Sequence, residues 1–284
     1  MFITQEFLNS IVSTRKPGVS GLMRVSNEEK TVRQSIESVI NVLDELIIIH
    51  HNCIDNTVNI LNSLALKYTK IIIYEYTQYV IPANKGEYIE GFNKEHSLAN
   101  YYNYGLSKCN YNWFLKIDAD QIYFEDELKN LFNNRQSLNY YCMVGFNVTV
   151  DVNNNISVGS FDAVPINGHH GDHFFTEIKI DSCFSIPQYN NKLYSQCEQY
   201  YEPGINWDKF DFTIGSAFWY HIRYFKDRGI NFTLSDEEIQ TVDMFVNYNY
   251  LRSRLCNKFS NLKILKIVEC FHKNKFKILR NKFI

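Results

Sequence analysis

The sequence feature that most constrains this chain is a short run, residues 113–117, that is apolar except for Lys116 and leads into Asp118 and Asp120. An apolar run of this length, preceded by polar residues, is typical of a buried strand. Side chains two residues apart on an extended strand point the same way, so the two carboxylates form a pair of oxygen ligands. Open α/β sheets bind their ligands at the carboxyl ends of strands. The pair therefore indicates a site for Mg²⁺ or Mn²⁺ held together with a diphosphate.

The same pair of aspartates has a second interpretation. Asp-x-Asp also occurs by chance, usually in a solvated turn or as the N-cap of a helix. The pattern of the surrounding chain has to decide between a metal site and a turn.

Upstream of residue 113, apolar runs alternate with segments of helical spacing. Strands are predicted at three places, residues 21–25, 46–49 and 71–74. Ser26 and Glu29 predict a capping box at the start of the first helix, and another helix is expected at residues 94–107. The apolar positions of the first helix are Val32, Ile36, Val39, Ile40 and Leu43. This alternation predicts an α/β fold with a parallel sheet and crossover helices.

Downstream of the aspartates, the sequence predicts a short helix at residues 125–132 and an aromatic, strand-like run at residues 218–222. Two more strands are expected at residues 143–150 and 156–164, and the last fifty residues have mostly helical spacing. The chain contains neither Gly-x-Gly-x-x-Gly nor a Walker loop. Ordinary dinucleotide-binding and P-loop proteins are therefore not indicated.

With 284 residues and 45% hydrophobic content, the chain is long enough for one large α/β domain, with or without a small appendage. Its seven cysteines are scattered and never spaced Cys-x-x-Cys. This pattern favours reduced thiols in the cytosol and argues against a structural zinc site. No signal peptide is evident, and no stretch reaches the roughly 18 consecutive apolar residues of a membrane span.

The charge of the chain is concentrated at one end. Residues 251–284 hold ten Lys and Arg residues and one acid, Glu269, although the net charge of the whole chain is −2. A cationic segment with interleaved Leu, Ile and Phe is expected to lie on an anionic membrane surface. A solvated terminal helix and a nucleic-acid contact are the alternatives, but no nucleic-acid-binding motif accompanies the charge.

Three motifs, in this order, resemble the GT-A glycosyltransferases: residues 24–29, residues 52–57 and residues 116–120. Within that group the chain is most similar to bacterial β-1,4-N-acetylgalactosaminyltransferases that build lipooligosaccharide outer cores. Further similar pieces are residues 101–104, Gly171-Asp172 and Tyr220-His221. The resemblance covers roughly residues 20–225.

The resemblance implies a UDP-sugar donor, with the nucleotide lying across the first half of the sheet. Arg24, Asn27 and Asp55 would lie near the base and the ribose. Asp118 would face the ribose or a water on the metal. Asp120 would ligate the metal, Mn²⁺ or Mg²⁺, directly.

Histidines occupy two further positions of interest. His221 is the expected third metal ligand, since GT-A enzymes often supply a late histidine and neutral imidazole suits Mn²⁺ better than Mg²⁺; a packed core histidine is the alternative. At the end of the second strand, where related enzymes often carry an acidic pair that holds uracil, this chain has His50 and His51. A zinc cluster is not supported by the spacing of the loop histidines, His169, His170 and His173.

Transfer of a glycosyl group with inversion needs one base that takes the proton of the acceptor hydroxyl, and no covalent intermediate. A divalent ion would act as a Lewis acid on the departing diphosphate. Asp172 is the expected base, because Gly171 before it lets the backbone approach a sugar closely. A loop-capping aspartate is the alternative for Asp172, and Glu177 and Asp162 are rivals for the base.

These inferences predict a GT-A, Rossmann-like mixed sheet flanked by helices over residues 1–235 and a helical, basic extension over residues 236–284. The expected activity is inverting transfer of a hexose or N-acetylhexosamine (GalNAc, Gal or Glc type) from a UDP-sugar to a lipooligosaccharide, O-antigen or capsule precursor. The enzyme would be cytoplasmic, at the inner face of the cytoplasmic membrane. Alternatives are an inactive glycan- or nucleotide-binding protein and a metal-dependent nucleotidyltransferase, which normally carries a glycine-rich phosphate loop.

Overall fold

The computed structural model describes residues 1–81, 93–135, 140–143, 145–150, 156–162, 173–186, 188–189, 192–193, 199–201 and 218–222. The chain divides into two compact units. The first unit contains Met1–Glu29, Leu43–Asp118 and Thr176–Ile205, and the second contains Lys30–Val42, Ala119–Phe175 and the described residues beyond 205. The predicted boundary at residue 235 and the basic extension lie outside the described residues, so both stay predictions.

Within the described residues, the α-helices are α1 (Gln5–Ser10), α2 (Val32–Val39), α3 (Thr57–Lys67), α4 (Leu98–Leu106) and α5 (Glu125–Asn133). The strands of the first half are β1 (Lys16–Val25), β2 (Glu45–His50), β3 (Ile71–Glu75), β4 (Tyr111–Asp118), β5 (Gln121–Tyr123), β6 (Tyr140–Cys142) and β7 (Gly145–Val150). The later strands are β8 (Ile156–Asp162), β9 (Phe174–Glu177), β10 (Cys183–Ser185), β11 (Gln188–Tyr189), β12 (Lys192–Leu193), β13 (Gln199–Tyr201) and β14 (Trp219–His221).

The first unit is built on a sheet with the strand order β3-β2-β1-β4-β9. β1 pairs in parallel with β2 on one side and with β4 on the other, and β2 pairs in parallel with β3. The apolar residues 46–49 of β2 are completely buried, as is typical of a parallel strand covered on both faces. The predicted α/β architecture is confirmed, and each strand predicted in this region is present.

Helix α4 packs closely against β1 because Gly105 offers no side chain at the contact. A Cβ at Gly105 would lie 2.5 Å from Leu22 Cδ1, which is far inside van der Waals contact. The helix is capped by Ser97, whose hydroxyl accepts the Asn100 N–H at 3.1 Å. The close approach brings the tyrosines of α4 next to the carboxyl end of β1.

The predicted capping box at Ser26 and Glu29 is wrong. Helix α2 begins only at Val32, because the Glu29 carboxylate is engaged elsewhere: it accepts the backbone N–H of Asn56 at 3.0 Å. The apolar positions predicted for this segment are nevertheless all buried: Val32, Ile36, Val39, Ile40 and Leu43.

The second unit contains a four-stranded sheet in the order β5-β14-β7-β8. β14 runs antiparallel to β5 and parallel to β7, and β7 and β8 form an antiparallel pair. Trp219 of β14 is fully buried, and Gly145 leaves room for it, since a Cβ there would lie 2.2 Å from Trp219 Nε1. Helix α2 packs against β5, where the Tyr123 N–H donates to Ser38 Oγ at 2.9 Å.

None of the helices in the described part of the chain is long and apolar enough to cross a membrane.

Candidate functional site

The carboxyl ends of β1 and β4 bring two of the predicted site residues together. Arg24 and Asp118 are partners in the parallel register of these strands. β1 lies between β2 and β4, so the strand order reverses at β1, and ligands of open α/β sheets bind at such a switch point. A guanidinium and a carboxylate therefore stand side by side where a ligand is expected.

Arg24 is held by the tyrosines of α4. Its guanidinium carbon lies 4.6 Å from the ring centroid of Tyr102 and 5.8 Å from that of Tyr101. The hydroxyl of Tyr101 donates to the carbonyl of Ile49 at 2.8 Å, and the Tyr102 ring stacks on Phe184 at 4.5 Å between centroids. These cation–π contacts orient the cation at the edge of the sheet.

His51 follows β2 at the same edge of the sheet. Its ring meets Tyr76 and Tyr101 edge to face, with centroids 6.4 and 5.9 Å apart. Burial lowers the pKa of His51; a hydrogen bond with the Gln78 backbone opposes this effect, and the neighbouring His50 adds to it. The imidazole is therefore neutral near pH 7 and presents one donor and one acceptor.

Asn27 and Asp55 join two loops, residues 26–31 after β1 and residues 51–56 after β2. Asn27 Oδ1 accepts the Ile54 N–H at 2.8 Å. The Asp55 carboxylate accepts the Thr57 N–H through Oδ1 at 3.0 Å and the Glu29 N–H through Oδ2 at 3.1 Å. The backbone of Asn27 is left-handed, with φ of 55°, a conformation that asparagine tolerates. Both side chains thus shape the loops at the ends of β1 and β2.

Replacing Asp55 by asparagine is expected to destabilise the fold by about 1 kcal/mol, because one of its two acceptor oxygens becomes an amide that cannot accept. Burial acts to raise the pKa of Asp55, but the hydrogen bonds from Thr57 and Glu29 outweigh it and hold the pKa below its usual range. A lowered pKa in the folded state gives stability that is present above the unfolded pKa and lost as the pH falls through the folded pKa.

The difference in Tm between wild type and Asp55→Asn should therefore be full at pH 7 and shrink below about pH 4. Thermal unfolding followed by circular dichroism measures it. Asp181→Asn is the control, since Gln5 and Asn9 donate to a single oxygen of Asp181 that asparagine keeps. Equal melting curves for wild type and Asp55→Asn at pH 7 would contradict this role of Asp55.

In the second unit, Asp120 and His221 form a pair. His221 Nε2 lies 3.0 Å from Asp120 Oδ2, and the Asp120 carboxylate is almost fully buried, with a side-chain exposure of 3%. The pairing of β14 with β5 sets this geometry: His221 is opposite Gln121, and the Ile222 N–H donates to the Asp120 carbonyl at 2.8 Å. Two of the three residues predicted from the sequence as metal ligands, Asp120 and His221, are thus in direct contact.

An oxygen and a nitrogen donor are a pair that Mn²⁺ accepts. Among the residues that the structure describes, no group of three His, Cys, Asp or Glu side chains is arranged to hold a metal ion. Metal ions that act on phosphates are commonly bound by one or two protein side chains together with waters and the phosphates themselves. Asp120 and His221 fit that pattern.

Of the candidate bases, Asp172 lies outside the described residues, and Asp162 ends β8. Glu177 is placed at the other end of the first sheet. Its carboxylate accepts from Asn112 Nδ2 at 3.2 Å, and Asn112 precedes Asp118 by six residues of extended strand, about 20 Å. Glu177 is therefore too far from Asp118 to serve as the base.

Three residues near these groups were given no individual role by the sequence, although two of them lie within the similar piece at residues 101–104. The Tyr102 ring packs against the Arg24 guanidinium. Gln121 follows Asp120 in the sequence, and its side chain is fully buried. Asn103 anchors β10 through two bonds of 2.8 Å with the backbone of Phe184. Tyr102 and Asn103 contact residues that are distant in sequence, Arg24 and Phe184, so no local pattern indicates these contacts.

Residues 15–158 match the model of the family described as Beta-1,4-N-acetylgalactosaminyltransferase (CgtA). The matched segment contains β1 to β4, Arg24 and the Asp118–Asp120 motif. Together with the parallel sheet and its switch point, the match makes this chain a glycosyltransferase with the GT-A fold. It belongs to the β-1,4-N-acetylgalactosaminyltransferase family, which confirms the resemblance expected from the sequence motifs. No curated protein matches the chain.

Two solved structures are among those to which the chain is similar. Glucosyl-3-phosphoglycerate synthase from Mycobacterium tuberculosis, in complex with Mn²⁺, UDP and phosphoglyceric acid, is 18% identical over 51% of this chain and 47% of that chain, with a TM-score of 0.31. The 4-diphosphocytidyl-2C-methyl-D-erythritol synthase from Anaerococcus prevotii is 10% identical over 59% of this chain and 72% of that chain, with a TM-score of 0.34. The chain spans about half the length of the first of these proteins.

Proposed function

We propose that this glycosyltransferase moves a hexose or N-acetylhexosamine (GalNAc, Gal or Glc type) from a UDP-sugar to a glycan acceptor, with inversion and with the help of Mn²⁺ or Mg²⁺. The observation that carries the proposal is the register of β1 and β4. It places Arg24 beside Asp118 at the switch point of the sheet, inside the segment that matches the family.

Donor binding is assigned to the carboxyl edge of the first sheet. Arg24, fixed on the Tyr102 ring, supplies a positive charge for the donor's nucleotide. The neutral imidazole of His51 offers a donor and an acceptor, which complements the N–H and carbonyl groups of a uracil edge. Asn27 and Asp55 support this edge through the two loops that they join.

Metal binding is assigned to Asp120 and His221, with Asp118 as the third ligand expected from the sequence. The bound ion would supply Lewis acidity to the departing diphosphate. The chain itself holds Asp120 in place through His221 and the Ile222 N–H. Asp172 is proposed to take the proton of the acceptor hydroxyl as the new bond forms at the anomeric carbon.

The acceptor is proposed to be a lipid-linked precursor of a lipooligosaccharide, O-antigen or capsule, reached at the inner face of the cytoplasmic membrane. The support is the charge of residues 251–284, ten Lys and Arg residues against one acid, which favours an anionic lipid surface. Sedimentation with anionic and neutral vesicles at two salt concentrations tests this. Equal binding to both vesicle types would contradict it.

The donor class is tested by calorimetric titration of the full chain with UDP, CDP, GDP and ADP, with and without Mn²⁺. We expect UDP to bind at least about tenfold more tightly than the other nucleotides, a difference of about 1.4 kcal/mol, and to lose most of that affinity in EDTA. Arg24→Ala should weaken UDP binding. Tighter binding of another nucleotide, with none of UDP, would overturn the assignment of the donor.

A further inference from the structure

Three buried polar side chains, those of Gln121, Tyr123 and His173, are linked in a series of hydrogen bonds. Gln121 and Tyr123 closely follow Asp120 in the sequence. The Tyr123 hydroxyl donates to Gln121 Oε1, and Gln121 Nε2 lies 2.9 Å from His173 Nε2. Gln121 is fully buried, and Tyr123 and His173 are each 3% exposed. Polar groups in such a place cost about 1–3 kcal/mol each if their bonds are not made. Apolar side chains would fill the same space without that cost.

At one end, this series of hydrogen bonds lies next to Asp120 and His221, the proposed metal ligands. Gln121 is the residue after Asp120, and it is the register partner of His221 on β14. The Asp120 carbonyl is bonded by the Ile222 N–H at 2.8 Å. Anchoring the Gln121 side chain therefore fixes the backbone from which Asp120 projects.

At its other end, the series of hydrogen bonds reaches His173, which makes two further contacts. Its carbonyl accepts the Met143 N–H at 3.0 Å, and its ring meets the Trp219 ring edge to face at 4.8 Å between centroids. In the sequence His173 directly follows Asp172, the proposed base. The hydrogen bond between Gln121 and His173 thus links the residue next to Asp120 with the residue next to Asp172.

We propose that His173 and Gln121 are positioning residues for the transfer step, a role that rests on the proposed function above. Their bond holds the backbone of Asp120 and the chain that follows Asp172 in a fixed relation. Because the Tyr123 hydroxyl donates to the Gln121 amide oxygen, the Gln121 NH₂ group is left to donate to His173 Nε2, which is the acceptor of this bond.

The test compares Gln121→Met, His173→Phe and their double variant with wild type. Gln121→Met keeps the volume and loses the hydrogen bond, and Ile122→Val, a buried apolar change on the same strand, is the matched control. We expect kcat to fall about 10- to 100-fold in each polar variant while the donor KM stays within about threefold. The double variant should be no worse than the single variants, because both remove the same bond.

A second experiment exchanges the two side chains in the double variant Gln121→His with His173→Gln. A third determines the tautomer of His173 in wild type and in Gln121→Met by ¹⁵N NMR. The exchange keeps a Gln–His pair and should restore part of kcat. The His173 signal, assigned by its loss in His173→Phe, should show the Nδ1–H form in wild type and change in Gln121→Met.

Melting temperatures separate positioning from folding, and all kinetics are run well below the lowest Tm. A lowered Tm with kcat unchanged in Gln121→Met and His173→Phe would overturn the positioning role and leave the transferase intact. A wild type that turns over no UDP-sugar would instead overturn the proposed function, and this role with it. An Nε2–H tautomer in wild type would contradict the orientation of the pair.

Discussion

Replacing Asp120 by alanine should lower the rate of glycosyl transfer by at least about a thousandfold. The variant loses the buried carboxylate that the proposal assigns to the metal, and a metal ion contributes several kcal/mol to stabilising a departing diphosphate. A loss of about 4 kcal/mol corresponds to about a thousandfold in rate. The measurement is kcat/KM for the donor at saturating Mn²⁺, with EDTA-treated wild type as the reference for the absence of metal.

Two further variants sharpen the Asp120 prediction. His221→Gln should cost less, about 10- to 100-fold, and should raise the Mn²⁺ concentration needed for half-maximal rate, because one ligand is weakened and the carboxylate is kept. Asp44→Asn is the control: Asp44 accepts the Val19 N–H through one oxygen at 2.8 Å at the amino edge of the first sheet, so this variant should leave kcat unchanged. An Asp120→Ala variant with more than about a tenth of the wild-type rate would contradict the metal assignment.

Replacing Asp172 by asparagine is the second change expected to remove most of the activity. A general base contributes about 10²–10⁴-fold to a proton-transfer step, so kcat should fall by that factor. UDP affinity should remain, because donor binding is assigned to the edge of the first sheet. Rates and calorimetric UDP affinities measured on the same preparation test both parts of this prediction.

The rival carboxylates are tested in parallel with Asp172. Glu177→Gln should keep wild-type kcat, because Glu177 is bonded to Asn112 near the amino end of β4. Asp162→Asn should also stay active. If Asp162→Asn abolished transfer and Asp172→Asn did not, the base would be Asp162.

Periodicity was sufficient to predict the parallel sheet and the position of the Asp118–Asp120 motif. The apolar runs of β2 and β4 are short and bounded by polar residues, and their burial follows from that pattern alone. The placement of Arg24 and Asp118 at one edge follows once β1 and β4 are known to be neighbouring parallel strands, since both residues lie at or next to the carboxyl end of their strand. These parts of the site depend on local sequence and on the general topology of α/β sheets.

The contacts that link distant segments could not be predicted from local patterns. Ser26 and Glu29 match the capping-box spacing, but Glu29 bonds Asn56 in another loop, so a tertiary contact overrode the local signal. Gln121 and His173 are 52 residues apart, and nothing in the spacing of either residue indicates the other. Strand β5, with three residues, is too short to show alternation.

The central claim is that this chain transfers a sugar from a UDP-sugar, and release of UDP tests it most directly. UDP would be measured with UDP-GalNAc, UDP-GlcNAc, UDP-Gal and UDP-Glc, each with Mn²⁺ and with EDTA, for wild type and Asp120→Ala. We expect slow, Mn²⁺-dependent release from one donor, lost in EDTA and in Asp120→Ala. Absence of release from every donor, together with no rise in Tm on adding UDP and Mn²⁺, would contradict the claim.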